Sequence, residues 1–317
     1  MEWRPAADIT SIRQRATLLS RLREFFAARS ILEVETPLLC GTGITDPSIA
    51  PFTVRCGDAA KPPRYLQTSP EYAMKRLLAA FPEPIFQITR AFRDGEAGRR
   101  HNPEFSLLEW YRPGFDHHRL MTEVADLVRF CLGERPLLRY SYRELFLQQL
   151  QVDPFIADEA DLEAVARRHL DPGALSGDRD CWLDLLMSHV LEPRLGIGEI
   201  CFVYDYPASQ AALAQIVAAD DVQVGQRFEL YVDGVELANG YCELTDAREQ
   251  RLRFERDNAR RRARGLSENP LDERLLAALE HGLPRCSGVA LGIDRLLMLV
   301  TGASDIREVL AFDWERC

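Results

Sequence analysis

The start of the sequence, MEWRPAADITSIRQRA, has no apolar segment that could serve as a secretory signal. Nothing further along approaches the ~20 apolar residues of a membrane-spanning helix. The eight cysteines, at 40, 56, 131, 181, 201, 242, 286 and 317, include no CxxC pair, so neither a zinc site nor a dithiol redox motif is signalled. His117-His118 stands apart from any thiolate and reads as surface. Low-complexity tracts and internal repeats are missing. Positive charge is in deficit: 39 Lys and Arg against 49 Asp and Glu leave −10. A general electrostatic grip on nucleic acid needs the opposite balance. These absences point to a cytoplasmic protein with reduced thiols and no membrane.

What is present suffices for a full core: 317 residues, 46% of them apolar. Apolar spacing predicts helices over 11–29, 71–80, 117–132, 158–170, 179–191 and 246–264. Strands are expected at ILEVETP, 85–93, 104–112, 200–204, 226–232 and 235–243, and 286–301 reads as strand, turn, helix. The sum is an α+β arrangement, an antiparallel sheet flanked by helices, as one domain over 1–317 with a helical insertion at about 115–200.

Three stretches carry chemistry. FRDGEAGRRHNPEF (92–105) gathers Arg93, Arg99, Arg100 and His101 around a glycine-bearing loop between two strands. An Arg fork matches phosphate oxygens and an aromatic such as Phe105 can stack on a base; a solvated hairpin tip is the other reading. In the second hairpin Asp233-Gly234 is a two-residue turn, which puts Tyr231 opposite Glu236 and Glu229 opposite Ala238. Glu229 and Glu236 become diagonal neighbours, a magnesium–phosphate site or a solvated pair. CSGVALGIDRLLML offers Gly288 and Gly292 before a helix, for close approach to a ligand or for strand-to-helix packing.

In this order the pieces resemble the signature motifs of class II aminoacyl-tRNA synthetases: ILEVETPLL, then FRDGEAGRRHNPEF, then GVALGIDR. Through TSPEYAMKRL, RHNPEF and ELANGYCELTDAREQ the chain is most similar to the lysine-specific branch. The resemblance spans about 11–312 and implies the class II catalytic fold, ATP as substrate and magnesium. It also implies a homodimer through the first motif, which contains Pro37. With the first helix starting near residue 11, no anticodon-binding barrel is expected ahead of it. That layout is similar to the stand-alone ligases of the class, which implies (R)-β-lysine as amino acid and a lysine of elongation factor P as acceptor, with tRNA disfavoured.

The same resemblance assigns roles. Arg93 and Arg295 are the catalytic arginines, at the α- and γ-phosphates. Asp94, Gly95, Glu96, His101, Asn102, Phe105, Glu236, Leu237 and Gly292 complete the ATP-binding set, and Glu229 with Glu236 binds magnesium. Ser69, Pro70, Glu71, Glu109, Tyr111, Asn239, Tyr241, Glu243 and Ala290 surround the amino acid. Gly95 occupies the position of a family glutamate, and Glu96 follows it. Ala290 replaces a glycine, a methyl that would disfavour one amino-acid geometry. Strict alternation puts Asn239, Tyr241 and Glu243 on the face opposite Glu236, so a bulge is expected near Asn239-Gly240. The run Arg260, Arg261, Arg262, Arg264 reads as a solvated helix face before a partner surface. Other readings are a tRNA-charging paralogue, an ammonia-using asparagine synthetase and a non-catalytic amino-acid-binding regulator.

Overall fold

The computed structural model describes residues 3–57 and 61–317. The chain forms two compact units: Met1–Gly114, Leu244–Cys286 and Ala290–Cys317 make the first, Phe115–Glu243 and Ser287–Val289 the second.

The first unit opens with helix Ile9–Ala27, started by Asp8, whose carboxylate accepts from the Ser11 N–H at 2.7 Å. Leu18, Leu22, Phe25 and Phe26 recur at helical spacing and form its buried face. Phe26 stacks on Phe86 at 4.3 Å and meets Trp110 edge-on at 5.3 Å. Burial of such a ring is worth about 2–3 kcal/mol. Phe86 and Trp110 are cross-strand partners in the antiparallel pair Ile85–Phe92 and Glu104–Pro113. ILEVETP, expected as a strand, pairs only at Leu32–Glu33, and does so in parallel with Ile85–Phe92. Helix Glu71–Ala80 lies on the expected residues and packs on helix Glu273–Gly282, which the sequence reading leaves out. Helix Ala247–Ala263 completes this layer, with Phe254 against Tyr72 at 5.7 Å.

In the second unit, strand Val222–Val232 pairs antiparallel with Ile200–Pro207, Val235–Cys242 and Ile216–Ala219. Leu137–Ser141 joins Ile200–Pro207 in parallel, so pairing is mixed, though mostly antiparallel. This strand lies inside the stretch expected to be helical. Only five residues long, it runs straight into a capping box made by Ser141 and Glu144, which starts helix Tyr142–Leu150. Helices His117–Leu132, Glu159–His169 and Arg179–Leu186 follow the predicted spacing. Tyr142, Phe146, Leu162, Trp182, Leu183, Leu186 and Val203 are central to a buried cluster.

His117, read from sequence as surface, is only 2% exposed. It is the first residue of its helix, and its ring turns inward so that Nε2 lies 3.2 Å from the Asp205 carboxylate.

The second hairpin turns at Asp233 and Gly234, both at positive φ (50° and 69°), as a type I′ turn requires. Val232 pairs with Val235 and Tyr231 with Glu236; then the register slips. Leu230 faces Ala238 and Glu229 faces Asn239, leaving Leu237 as the extra residue. Glu229 is therefore not opposite Ala238, and the irregularity precedes Asn239-Gly240. Its physical basis is Leu237, 2% exposed, which the slip lets into the apolar interior without disturbing its neighbours. Gly240 serves another need: a Cβ there would come 2.4 Å from the Phe228 ring and 2.9 Å from the Gly288 carbonyl. Beyond the slip, Glu236, Asn239 and Tyr241 share one half-buried face with Arg227 and Glu229 opposite.

Candidate active site

In the first unit the strands Ile85–Phe92 and Glu104–Pro113 hold the Arg93–Pro103 loop. Gly95 sits at φ +79°, where a side chain would be strained, which is why the family glutamate cannot stand there on this backbone. Glu96 instead brings a carboxylate oxygen 3.7 Å from Arg93 Nη1. The Arg93 guanidinium lies over the Phe105 ring, 5.1 Å from its centroid. Its Nε is buried and has no hydrogen-bond partner. A buried donor without an acceptor is costly, about 1–3 kcal/mol.

Arg295, in the first turn of helix Ile293–Thr301, reaches back to the loop. Its Nε donates to the Arg100 carbonyl at 3.3 Å, and Nη2 lies 2.6 Å from His101 Nε2. Burial, then the charge of Arg295, push the His101 pKa below its ordinary value. The ring is thus neutral at pH 7 and accepts from the guanidinium. His101 is an acceptor that aims Arg295, and not one of the loop's cations. Arg99 has structural work: Nε donates to the Ser304 carbonyl at 2.8 Å and its carbonyl accepts from Ile306 N–H.

Asn102, assigned by resemblance to ATP, spends its side chain inside the protein. Nδ2 donates to the Glu104 carbonyl at 2.7 Å and Oδ1 accepts from the Trp314 N–H at 2.9 Å. A polar side chain between a strand start and the chain's last turn satisfies backbone groups first. The Asp94 side chain is exposed. Asp294 is buried, accepting from the Ser106 N–H at 2.7 Å and from Arg15 at 2.5 Å, which anchors the helix start beside Arg295.

Of the residues that the resemblance assigns to the amino acid, Ser69 and Tyr111 meet at Glu109. This carboxylate is 2% exposed and accepts from Ser69 and Tyr111 hydroxyls, each at 2.7 Å. The Ser69 hydroxyl also accepts from the Glu71 N–H at 3.1 Å, so one side chain joins the start of helix Glu71–Ala80 to the strand. Pro70 takes the position before the helix, its φ of −76° suited to it. Glu71 pairs with Lys75 at 2.6 Å, a lysine 2% exposed that the sequence reading overlooks despite its i+4 spacing. Ala290 and Gly292 alternate as half-buried positions on strand Cys286–Gly292. A Cβ at Gly292 would meet nothing nearer than the Arg295 side chain at 3.8 Å.

In the second unit the organising residue is Arg227, also missed from sequence although it shares a strand face with Glu229 at i+2. Nε donates to Asn239 Oδ1 at 3.2 Å, Nη1 to the Gln210 carbonyl at 2.8 Å and Nη2 to Glu229. Its guanidinium also covers the Tyr206 ring at 4.5 Å. Glu229 accepts in addition from Tyr206 at 2.6 Å and from Tyr231. Burial raises the pKa of Tyr206 and Tyr231 well above 10, so both stay donors. Repulsion between Glu229 and Glu236 therefore does not call for a metal: Arg227 supplies the compensating cation. Burial works against its charge, yet Glu229 beside it keeps its pKa above the ordinary value.

Glu243 is 1% exposed, and its carbonyl accepts from Gln215 at 2.9 Å. No group of three or more His, Cys, Asp or Glu among the described residues is arranged to hold a metal ion. Carboxylate oxygens of Glu236 and Glu229 are the hard donors magnesium takes, but both Glu229 oxygens are engaged, so phosphate and water would have to fill most of its shell.

Arg93 with its unmet Nε, Arg295 at a helix start and the hydroxyl-held Glu109 all belong to the first unit. The chain belongs to the family described as tRNA synthetases class II (D, K and N), which it matches over residues 3–316. It is 50% identical to the elongation factor P–(R)-β-lysine ligase of Sodalis glossinidius, over 99% of this chain and 98% of that one. It is 51% identical to the Proteus mirabilis ligase of the same name, over 98% and 97%, and 50% identical to that of Salmonella typhi, over 99% and 98%.

Proposed function

We propose that this chain is an ATP-dependent ligase that adenylates (R)-β-lysine and transfers it to the ε-amine of a lysine on elongation factor P. The observation that carries this reading is identity of about half, spread over 99% of this chain and 98% of relatives bearing that activity in their name. The β-lysine carboxylate attacks the α-phosphorus of ATP, forming the aminoacyl-adenylate and releasing pyrophosphate. The acceptor's neutral ε-amine then attacks the acyl carbon, forming the amide, losing a proton and releasing AMP.

Arg93 carries the first step, its unmet Nε and fork facing the charge that grows on the α-phosphate. Arg295, aimed by neutral His101, takes the γ-phosphate end, and Gly292 leaves room for its side chain at the helix start. Phe105 is the platform for adenine, and Glu96 an adenine-side carboxylate held near Arg93. In the first unit Ser69, Glu71, Glu109 and Tyr111 are the groups for the substrate's ammonium charges and carboxylate. Glu109, 2% exposed and held by two hydroxyls, gives these residues the negative charge that a cationic substrate matches. Magnesium, held by Glu236 with Glu229 behind it, would neutralise phosphate charge. A homodimer through ILEVETPLL is part of the reading, supported by the exposed Leu32, Leu38 and Leu39, as is a cytoplasmic location.

The test is ATP–pyrophosphate exchange with (R)-β-lysine, α-lysine, aspartate or no amino acid. Exchange strongest with β-lysine, followed by labelling of elongation factor P, is expected. Preference for α-lysine with charging of tRNA would overturn the acceptor. Silence with ATP binding intact would favour an amino-acid-binding regulator.

A further inference from the structure

Helix Ala247–Ala263 holds arginines of two kinds. Those on its flanks are matched: Arg251 with Glu273 at 2.6 Å, Arg253 with Glu249 at 3.0 Å and Arg262 with Glu268 at 2.7 Å. Arg261 is buried, donating to the Ser267 and Asp46 carbonyls at 2.7 and 3.1 Å. The run 260–264 is therefore no single solvated face; the helix period divides it. Arg248, Arg256, Arg260 and Arg264 are exposed, and none of their side chains makes a hydrogen bond or ion pair among the described residues. Asp246 beside Arg248 and Asp257 beside Arg260 act on them only at longer range.

Within the helix, Arg248, Leu252 (46% exposed), Arg256 and Arg260 form an i, i+4 series, and Arg264 follows as the C-cap residue. At 1.5 Å per residue the series is about 18 Å long. It lies opposite the buried residues Gln250, Phe254, Asn258 and Arg261. Through Phe254 the helix rests on Tyr72, which follows Glu71, and the series lies on the far side of the helix. An acidic chain of net charge −10 thus keeps a line of uncompensated guanidinium groups around one exposed leucine.

We infer that this face docks the acceptor protein through a surface bearing carboxylates around an apolar contact. The inference rests on the reading of the chain as a protein-modifying ligase. Charge complementarity gives the partner's sign, and Leu252 together with the acidic remainder of the chain favours a protein over a phosphate backbone. Surface charges of this kind speed encounter and fix orientation without touching the reacting atoms.

The test compares the intact protein with Arg248→Glu/Arg256→Glu/Arg260→Glu and with the same three changed to Gln. Exchange of pyrophosphate with (R)-β-lysine needs no acceptor and should stay within about twofold in all three, which also reports an intact fold. KM for purified elongation factor P should rise about tenfold or more in the Glu variant and less in the Gln variant, with kcat held. Its salt dependence should flatten in the Gln variant. Exchange retained with an unchanged KM would overturn the docking face alone. Absence of β-lysine exchange in the unmodified protein would overturn the ligase reading and the docking face with it. Variants that lose tRNA charging in place of transfer to protein would overturn the protein partner.

Discussion

Arg93 and Arg227 both emerge from strands, both lie against an aromatic ring and both face a glutamate, yet they are opposite in how far their hydrogen bonding is met. Arg227 has every nitrogen engaged, to Asn239, the Gln210 carbonyl and Glu229. Arg93 touches Glu96 only at 3.7 Å and leaves a buried Nε with no acceptor. Folding ordinarily pairs buried polar groups, and Arg93 Nε is one of the few left unmet among the described residues. Arg227 is frame; Arg93 is the residue proposed for the α-phosphate. Residue type and burial do not separate them, but the count of unmet bonds does.

The most damaging way to test this contrast is Arg93→Lys. The ammonium keeps the charge and loses the planar fork, so exchange should fall about 100- to 1,000-fold, the cost of removing one transition-state donor. Thermal melting should hardly move, because no hydrogen bond of the fold depends on Nε. Equal losses of stability and activity would place Arg93 in the frame after all.

Arg227→Gln probes the other half. It strips the cation from Glu229, which is 8% exposed, while Tyr206 and Tyr231 remain. An uncompensated buried charge costs about 3–5 kcal/mol, read in urea unfolding. Adding Glu229→Gln should restore much of it, since the pair is then neutral. A variant of unchanged stability but lost activity would instead put Arg227 in contact with substrate.

The contrast also explains what could be read before the structure. Helix spacing gave Glu71–Ala80, and Asp233-Gly234 gave the turn, because both signals are local. The slip was legible in part: the conflict of strand faces calls for one near Asn239-Gly240, and it falls at Leu237. Asn102 and His101 were legible as polar loop residues, but sequence cannot say whether a polar side chain is met by protein or ligand. Asn102 binds backbone, and His101 binds Arg295. Arg227 escaped notice for the converse reason, a lone arginine in a strand whose partners come from Gln210 and Asn239, far apart in the chain.

The smallest effect lies at the edge of the Arg227 frame. Gln210, whose carbonyl takes Arg227 Nη1, donates its amide to Asp184 at 2.7 Å. Burial raises the Asp184 pKa from 3.8 to about 6, although Arg227 pulls the other way. The folded state therefore holds this proton more tightly than the unfolded state. Asp184 favours folding below pH 3.8, and that contribution is lost as pH rises through about 6. The Asp184 side chain is exposed to solvent, and screening limits the loss to about 1 kcal/mol or less. Urea unfolding of Asp184→Asn, whose Oδ1 still accepts from Gln210, should show it about 1 kcal/mol more stable than the parent at pH 7, the difference vanishing towards pH 4. In an Arg227→Gln background the same step should shift to higher pH, because the guanidinium that holds the Asp184 pKa down is gone. A step that stays where it was would separate Asp184 from the frame and confine the saturated network to Arg227, Glu229, Asn239 and the two tyrosines.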